Sequence, residues 1–169
     1  MIKQQYFQFR YDNRHFGRRV EQMGKWDFLN EIQKEFAFDL SLKVDGAILT
    51  NRKTRESIEI FEEEYYSVDP KEGLYVEYIV CFTTQHRHFE DLSDVAEYIR
   101  LILTDEVLPI EFYLHGERRF GGEIKKSDFD RLTVEFLAGY YGYSVEYLSQ
   151  FEYEIHSWSG RYNVERRNF

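Results

Sequence analysis

Cysteine occurs once in this chain, at Cys81, so no internal disulfide can form and the stapled scaffolds of small secreted proteins are excluded. Proline occurs twice and no low-complexity run is present, which excludes a Pro-rich linker or a biased tail. No apolar stretch approaches the roughly 20 residues that a membrane-spanning helix needs. The opening Met1-Ile2-Lys3-Gln4-Gln5 lacks the apolar core of a secretory signal. Together these absences predict a cytoplasmic protein with no membrane association. Also missing are a nucleophile elbow, a metalloprotease helix, a paired Cys-x-x-Cys, a dinucleotide fingerprint and a phosphate-binding loop. No cofactor is therefore expected, and the standard enzyme classes are disfavoured.

Aromatic residues are abundant instead, with 15 Phe, 14 Tyr and 2 Trp making up 18% of the chain. Large rings supply burial that disordered segments lack, and each tyrosine adds a hydroxyl that needs a partner or water. At 169 residues the chain has the length of a single domain, 1–169, able to bury a real core. Its net charge of −9 is unevenly spread. Residues 1–25 sum to +4 and residues 161–169 to +2, which leaves −15 on the body between them. An acidic body of this kind mimics a polyanion, and the N-terminal Arg10, Arg14, Arg18 and Arg19 offer the opposite sign.

Periodicity predicts an α+β domain with one mixed or mainly antiparallel sheet of about five to seven strands and three to four helices. Residues 2–9 read as an edge strand. Phe28, Leu29, Ile32 and Phe36 recur at helical spacing over 27–36. Residues 39–44, 47–50 and 57–62 alternate as a meander with turns at Asp45-Gly46 and 51–55. Asp69-Pro70 and Gly73 mark a loop, and 74–84 is an apolar strand that contains Cys81, read as a small buried hydrophobe. A helix follows over 92–104 and a hairpin over 108–124, with Pro109 suggesting that its strand begins at an edge. Residues 74–114 then fit one strand–helix–strand crossover. Helices are expected over 127–141 and 144–152, and the tail from Glu154 to Val164 is expected to return to the sheet or lie over it.

Three clusters carry candidate chemistry. The first is Gln85-His86-Arg87-His88-Phe89-Glu90-Asp91, read as a turn between strand and helix. His86, His88 and Glu90 have the residue types for a divalent-metal site or for acid–base catalysis, because imidazole titrates near neutrality and binds borderline cations. The second is the hairpin tip at Arg118 and Arg119, followed by Gly121-Gly122, where paired guanidiniums can grip an anion and glycines allow close approach or a bulge. The third is the acidic and aromatic run Glu62, Glu63, Glu64, Tyr65 and Tyr66, the expected contact surface for a partner.

Residues 132–152 carry a small Ala138, a turn at Gly142, Ser144 opening a second helix, and apolar Leu137, Tyr143, Leu148 and Phe151. This stretch resembles the helix-turn-helix of phage-repressor-like regulators. The resemblance implies DNA reading by the second helix through Glu146, Tyr147, Ser149 and Gln150. None of these is basic, so a protein ranks above nucleic acid as partner. The sequence thus predicts a small protein-binding module of the inhibitor, immunity or regulatory type, in one form a mobile-element-encoded antagonist of a nucleic-acid-binding protein. The alternatives are a small hydrolase or nuclease built on His86, His88 and Glu90, and a helix-turn-helix DNA-binding protein.

Overall fold

The computed structural model describes residues 24–66 and 74–169. The strand expected at 2–9, the Arg10 to Arg19 cluster and the loop at 67–73 lie outside the described residues. Over the described residues the architecture is α+β, built on two antiparallel sheets of five and four strands rather than one.

The first sheet is a meander in which each strand pairs with the next. Its strands are β1 (Phe38–Lys43), β2 (Gly46–Asn51), β3 (Ser57–Tyr66), β4 (Leu74–Phe82) and β5 (Gln85–Phe89). Period-two alternation puts Leu49, Ile58, Ile60, Val80 and Phe82 on one face, each at most 1% exposed. That face is covered by α1 (Asp27–Glu35) through Phe28, Leu29 and Ile32, and by α2 (Leu92–Leu103) through Val95, Ala96, Ile99 and Ile102. At the β1–β2 hairpin a Cβ on Gly46 would run into the Ile60 carbonyl, so only glycine fits.

Residues 85–89 are a strand and not the expected turn. Thr83, at φ 58°, makes the reversal after β4, and Gln85, Arg87 and Phe89 then alternate with His86 and His88. The alternation is hard to recognise because Gln85 and Arg87, on the inner face, are polar. They meet the second sheet, where Arg87 pairs with Glu123 and the Gln85 side chain packs over Gly121.

In that sheet the order is β7 (Glu117–Lys125), β6 (Val107–Leu114), β8 (Glu152–Ile155) and β9 (Val164–Asn168). The tail beyond Glu152 thus returns as two strands. β4 and β6 belong to different sheets, so the expected crossover within one sheet is not formed and α2 instead carries the chain from one sheet to the other. Pro109 does not mark an edge, since β6 pairs on both sides. Its carbonyl accepts from His156 N at 3.0 Å, one residue past Ile155, the last residue of β8 paired with β6. In an antiparallel ladder a residue's N and O face the same neighbour, so the missing N–H falls where no paired residue needs it.

Leu108, Ile110 and Phe112 of β6 form a second core with Leu137, Leu148, Phe151, Tyr153 and Ile155. The helix expected over 127–141 divides into a 3₁₀ segment (Lys126–Arg131) and α3 (Val134–Tyr141). Thr133 starts α3 by accepting from Phe136 N at 3.2 Å. α4 (Val145–Leu148) is a single turn opened by Ser144, and Gly142 at φ 74° ends α3 before it. The second helix expected to run to Glu152 therefore stops at Leu148, because the buried positions Phe151, Tyr153 and Ile155 then follow strand spacing. The C-terminal loop ties back to the first core, where Trp158 packs 6.2 Å from Phe82 and its carbonyl accepts from Asn51 Nδ2 at 2.6 Å.

Ile58 is fully buried between β2 and β4, and its truncation leaves a cavity. Ile58→Ala is expected to lower unfolding free energy by about 2–5 kcal/mol in urea titration, against less than about 0.5 kcal/mol for the exposed Val44→Ala.

Candidate functional site

The outer face of the first sheet carries Phe61, Glu63 and Tyr65 from β3 opposite Ile79, Glu77 and Tyr75 from β4. No described helix packs on it. The Tyr65 and Tyr75 rings stack at 5.4 Å, and Tyr75 is 50% exposed. Glu63 and Glu77 stand directly opposite each other, a like-charge pair that costs stability in an antiparallel ladder. Tyr65 donates its hydroxyl proton to Glu63, and that bond is the main cause of its pKa being pushed up to about 12. His88 Nδ1 lies 3.0 Å from Glu77 Oε2.

The expected contact run 62–66 is therefore split by the pleat. Glu63 and Tyr65 face outward. Glu62 is on the helix-covered face and pairs with Lys25. Glu64 is exposed on that same side, and Tyr66 ends β3 opposite Leu74.

His86 and His88 share the outer face, with ring centroids 5.3 Å apart, and both are exposed. Glu90 follows the end of β5 and is exposed, next to Asp91 at the start of α2. Among the described residues, the three do not form a convergent set of potential metal ligands; Glu111, Glu154 and His156 do. Cys81 lines a cavity of about 150 Å³ with Arg55, Glu56, Ser57, Glu59 and Thr83. Burial, aided by the Glu59 charge, pushes its thiol pKa up, which favours the unreactive thiol.

Arg118 and Arg119 are committed to separate carboxylates. Arg119 pairs with Glu117 at 2.9 Å, and Arg118 reaches toward Glu111 at 3.5 Å. The bulge expected near Gly121-Gly122 falls at Arg119, since Phe112 pairs with Phe120 and Tyr113 with Arg118. The glycines serve close approach, for a Cβ at Gly121 would overlap the Gln85 side chain and one at Gly122 the Tyr141 ring. In the region resembling a helix-turn-helix, Ser149 Oγ and Gln150 Nε2 both donate to the Glu146 carbonyl, at 3.2 and 3.0 Å. These polar side chains close a one-turn helix, leaving no long recognition helix.

Sequence reasoning missed a polar cluster between the two sheets. Glu111 is 1% exposed and Tyr113 7% exposed. Thr84 donates to Glu111, and the Tyr113 hydroxyl is hydrogen-bonded at both Glu111 and Glu154. His156 Nε2 lies 3.5 Å from Glu154 Oε1, and the Arg166 guanidinium sits 3.4 Å over the Tyr113 ring. Burial pushes the Glu111 carboxyl up, but hydrogen bonds from Thr84 and Tyr113 and the charges of Arg118 and His156 hold it below its ordinary value. The available signal was the outward-facing Glu111-x-Tyr113 on an expected strand. Its partner Glu154-x-His156 was invisible until β8 was known to pair with β6.

A second seam contact joins Glu123 of β7 to Arg87 of β5 at 2.8 Å and to the Tyr98 hydroxyl of α2. No helix among the described residues is long and apolar enough to cross a membrane. Compared with protein-family profiles, characterised proteins and solved structures, the chain has no match.

Burial raises the Glu123 carboxyl pKa above its ordinary 4.5, with Arg87 and Tyr98 only partly opposing it. A raised carboxyl pKa means that the folded state holds its proton more tightly than the unfolded chain does. Stability from this group is thus full below pH 4.5 and declines as pH rises toward the folded value. The unfolding free energy of the wild type relative to Glu123→Gln is expected to fall as pH rises above 4.5, as measured by urea titration at each pH; a constant difference would refute this reading.

Proposed function

We propose that the chain is a small cytoplasmic protein-binding module, of the inhibitor, immunity or regulatory type, that engages its partner through the outer face of the five-stranded sheet. The observation that carries this reading is the Glu63–Glu77 pair, set between stacked Tyr65–Tyr75 and the apolar Phe61–Ile79 pair. Facing carboxylates work against the sheet's stability, and a cationic partner would relieve their repulsion. Exposed aromatic rings beside them supply contact area at small entropic cost. In its specific form the partner is a nucleic-acid-binding protein whose basic cleft the acidic face occupies, an arrangement consistent with the net charge of −9.

The hydrolase or nuclease reading draws less support, because His86 and His88 are exposed and Glu90 does not complete a convergent set with them. Tagged full-length protein is the probe for the binding reading, with nuclease-treated lysate of the source organism at low and high salt. The wild type is expected to retain a stoichiometric protein, less of it at high salt. Glu63→Lys and Tyr75→Ala are each expected to weaken retention by about tenfold or more without unfolding the chain. Equal retention by both variants would refute the assignment of this face.

A further inference from the structure

The cluster between the sheets brings two carboxylates, an imidazole and a phenol oxygen together. Glu111 and Tyr113 stand two apart on β6, and Glu154 and His156 stand two apart around the end of β8. The pleat puts all four on one face of the second sheet, and Glu111 pairs directly with Glu154. One ligand atom each from Glu111, Glu154 and His156 lie within 4.8 Å of one another.

The Tyr113 oxygen touches Glu111 Oε2 at 2.6 Å and Glu154 Oε1 more closely. A phenol has one proton to give, and an ionised carboxylate has none. With both carboxylates ionised, one of these two oxygen–oxygen contacts lacks a hydrogen, a deficit that a proton on one carboxyl or a bound cation makes good. The nearby guanidiniums do not supply it well. Arg118 Nε stops 3.5 Å from Glu111 and Arg166 Nε 3.6 Å from Glu154, too long for charge-assisted hydrogen bonds.

We propose that Glu111, Glu154 and His156 form a binding site for one divalent transition cation of the Zn²⁺ or Mn²⁺ kind, with the Tyr113 oxygen beside it. Two carboxylates and an imidazole suit such an ion and select against Mg²⁺ and Ca²⁺, which favour all-oxygen sites. Thr84, from the turn between β4 and β5, holds Glu111 by its other oxygen and so orients a ligand from outside the site. Arg118 and Arg166 are 36% and 37% exposed at the rim. They oppose a cation electrostatically, yet each can swing into water to admit it. The site is independent of the binding face, which lies on the other sheet.

The test is dialysis of full-length protein against Zn²⁺ and, separately, Mn²⁺ in about tenfold excess, with elemental analysis of bound metal and a thermal unfolding scan. At least one of the two metals is expected to give one ion per chain and a raised unfolding temperature. Glu154→Gln and His156→Ala should each weaken binding by about tenfold or more, with far-ultraviolet circular dichroism unchanged. Arg118→Gln should tighten binding several-fold by removing a rim cation. A His86→Ala/His88→Ala double variant should bind as the wild type does. Failure to retain either metal overturns the proposal. So does binding that survives both Glu154→Gln and His156→Ala, or that is lost with His86 and His88. If the two seam variants do not fold, Arg118→Gln decides, and unchanged or weaker binding overturns the site.

Discussion

Glu123 projects from β7 toward the first sheet and there takes the Arg87 guanidinium and the Tyr98 hydroxyl. The relative placement of the two sheets depends on this contact and its neighbours. Each sheet has its own apolar core, and apolar burial alone is non-directional. Orientation comes from groups that must be satisfied in one geometry: Glu123 against Arg87 and Tyr98, Glu111 against Thr84, Asn51 against the Trp158 carbonyl. A buried carboxylate left unpaired costs several kcal/mol on the order of a whole domain's margin, so rival sheet placements are penalised strongly. Gly121 belongs to the same constraint, since the Gln85 side chain occupies the space a Cβ would need.

This joint determines what remains for function. α1 and α2 cover the inner face of the first sheet, and the joint engages the inner side of β5 through Gln85 and Arg87. The outer face is left to Phe61, Glu63, Tyr65, Tyr75, Glu77, Ile79, His86 and His88. Along it, apolar, acidic and aromatic rows succeed one another in register. Surface carboxylates placed directly opposite are weakly unfavourable, whereas other surface charges pair with opposite sign, as Arg52 does with Asp39 and Lys126 with Glu106. The facing Glu63 and Glu77 between aromatic and apolar pairs are what give the outer face its proposed role.

Much of the fold was legible in the sequence, and the failures lie where the two sheets meet. β3 announces itself by alternation, β4 by its continuous apolar run, and α2 by its apolar stripe at helical spacing. β5 and β8 do not, because β5 buries polar atoms against another sheet and β8 has only four residues. The seam cluster was lost with them, since Glu111 and His156 are 45 positions apart and meet only through a pairing that local pattern does not encode. The outer face was half legible. Glu63 and Tyr65 were named, but the neighbours Glu62 and Glu64 project to the other side, and Tyr75 and Glu77 gained meaning only from the β3–β4 register. His86 and His88 drew attention for their chemistry, yet what the strand gives them is a shared exposed face and Glu77 as a neighbour.

The assignment of the outer face is tested most directly by placing a photo-crosslinking side chain at Tyr75 in the full-length protein and irradiating it in the source organism's cells. A matched variant carries it at Tyr147, on the surface of α4. The account predicts one discrete protein adduct from position 75 and none of the same mass from position 147. An adduct from position 147 alone would contradict it.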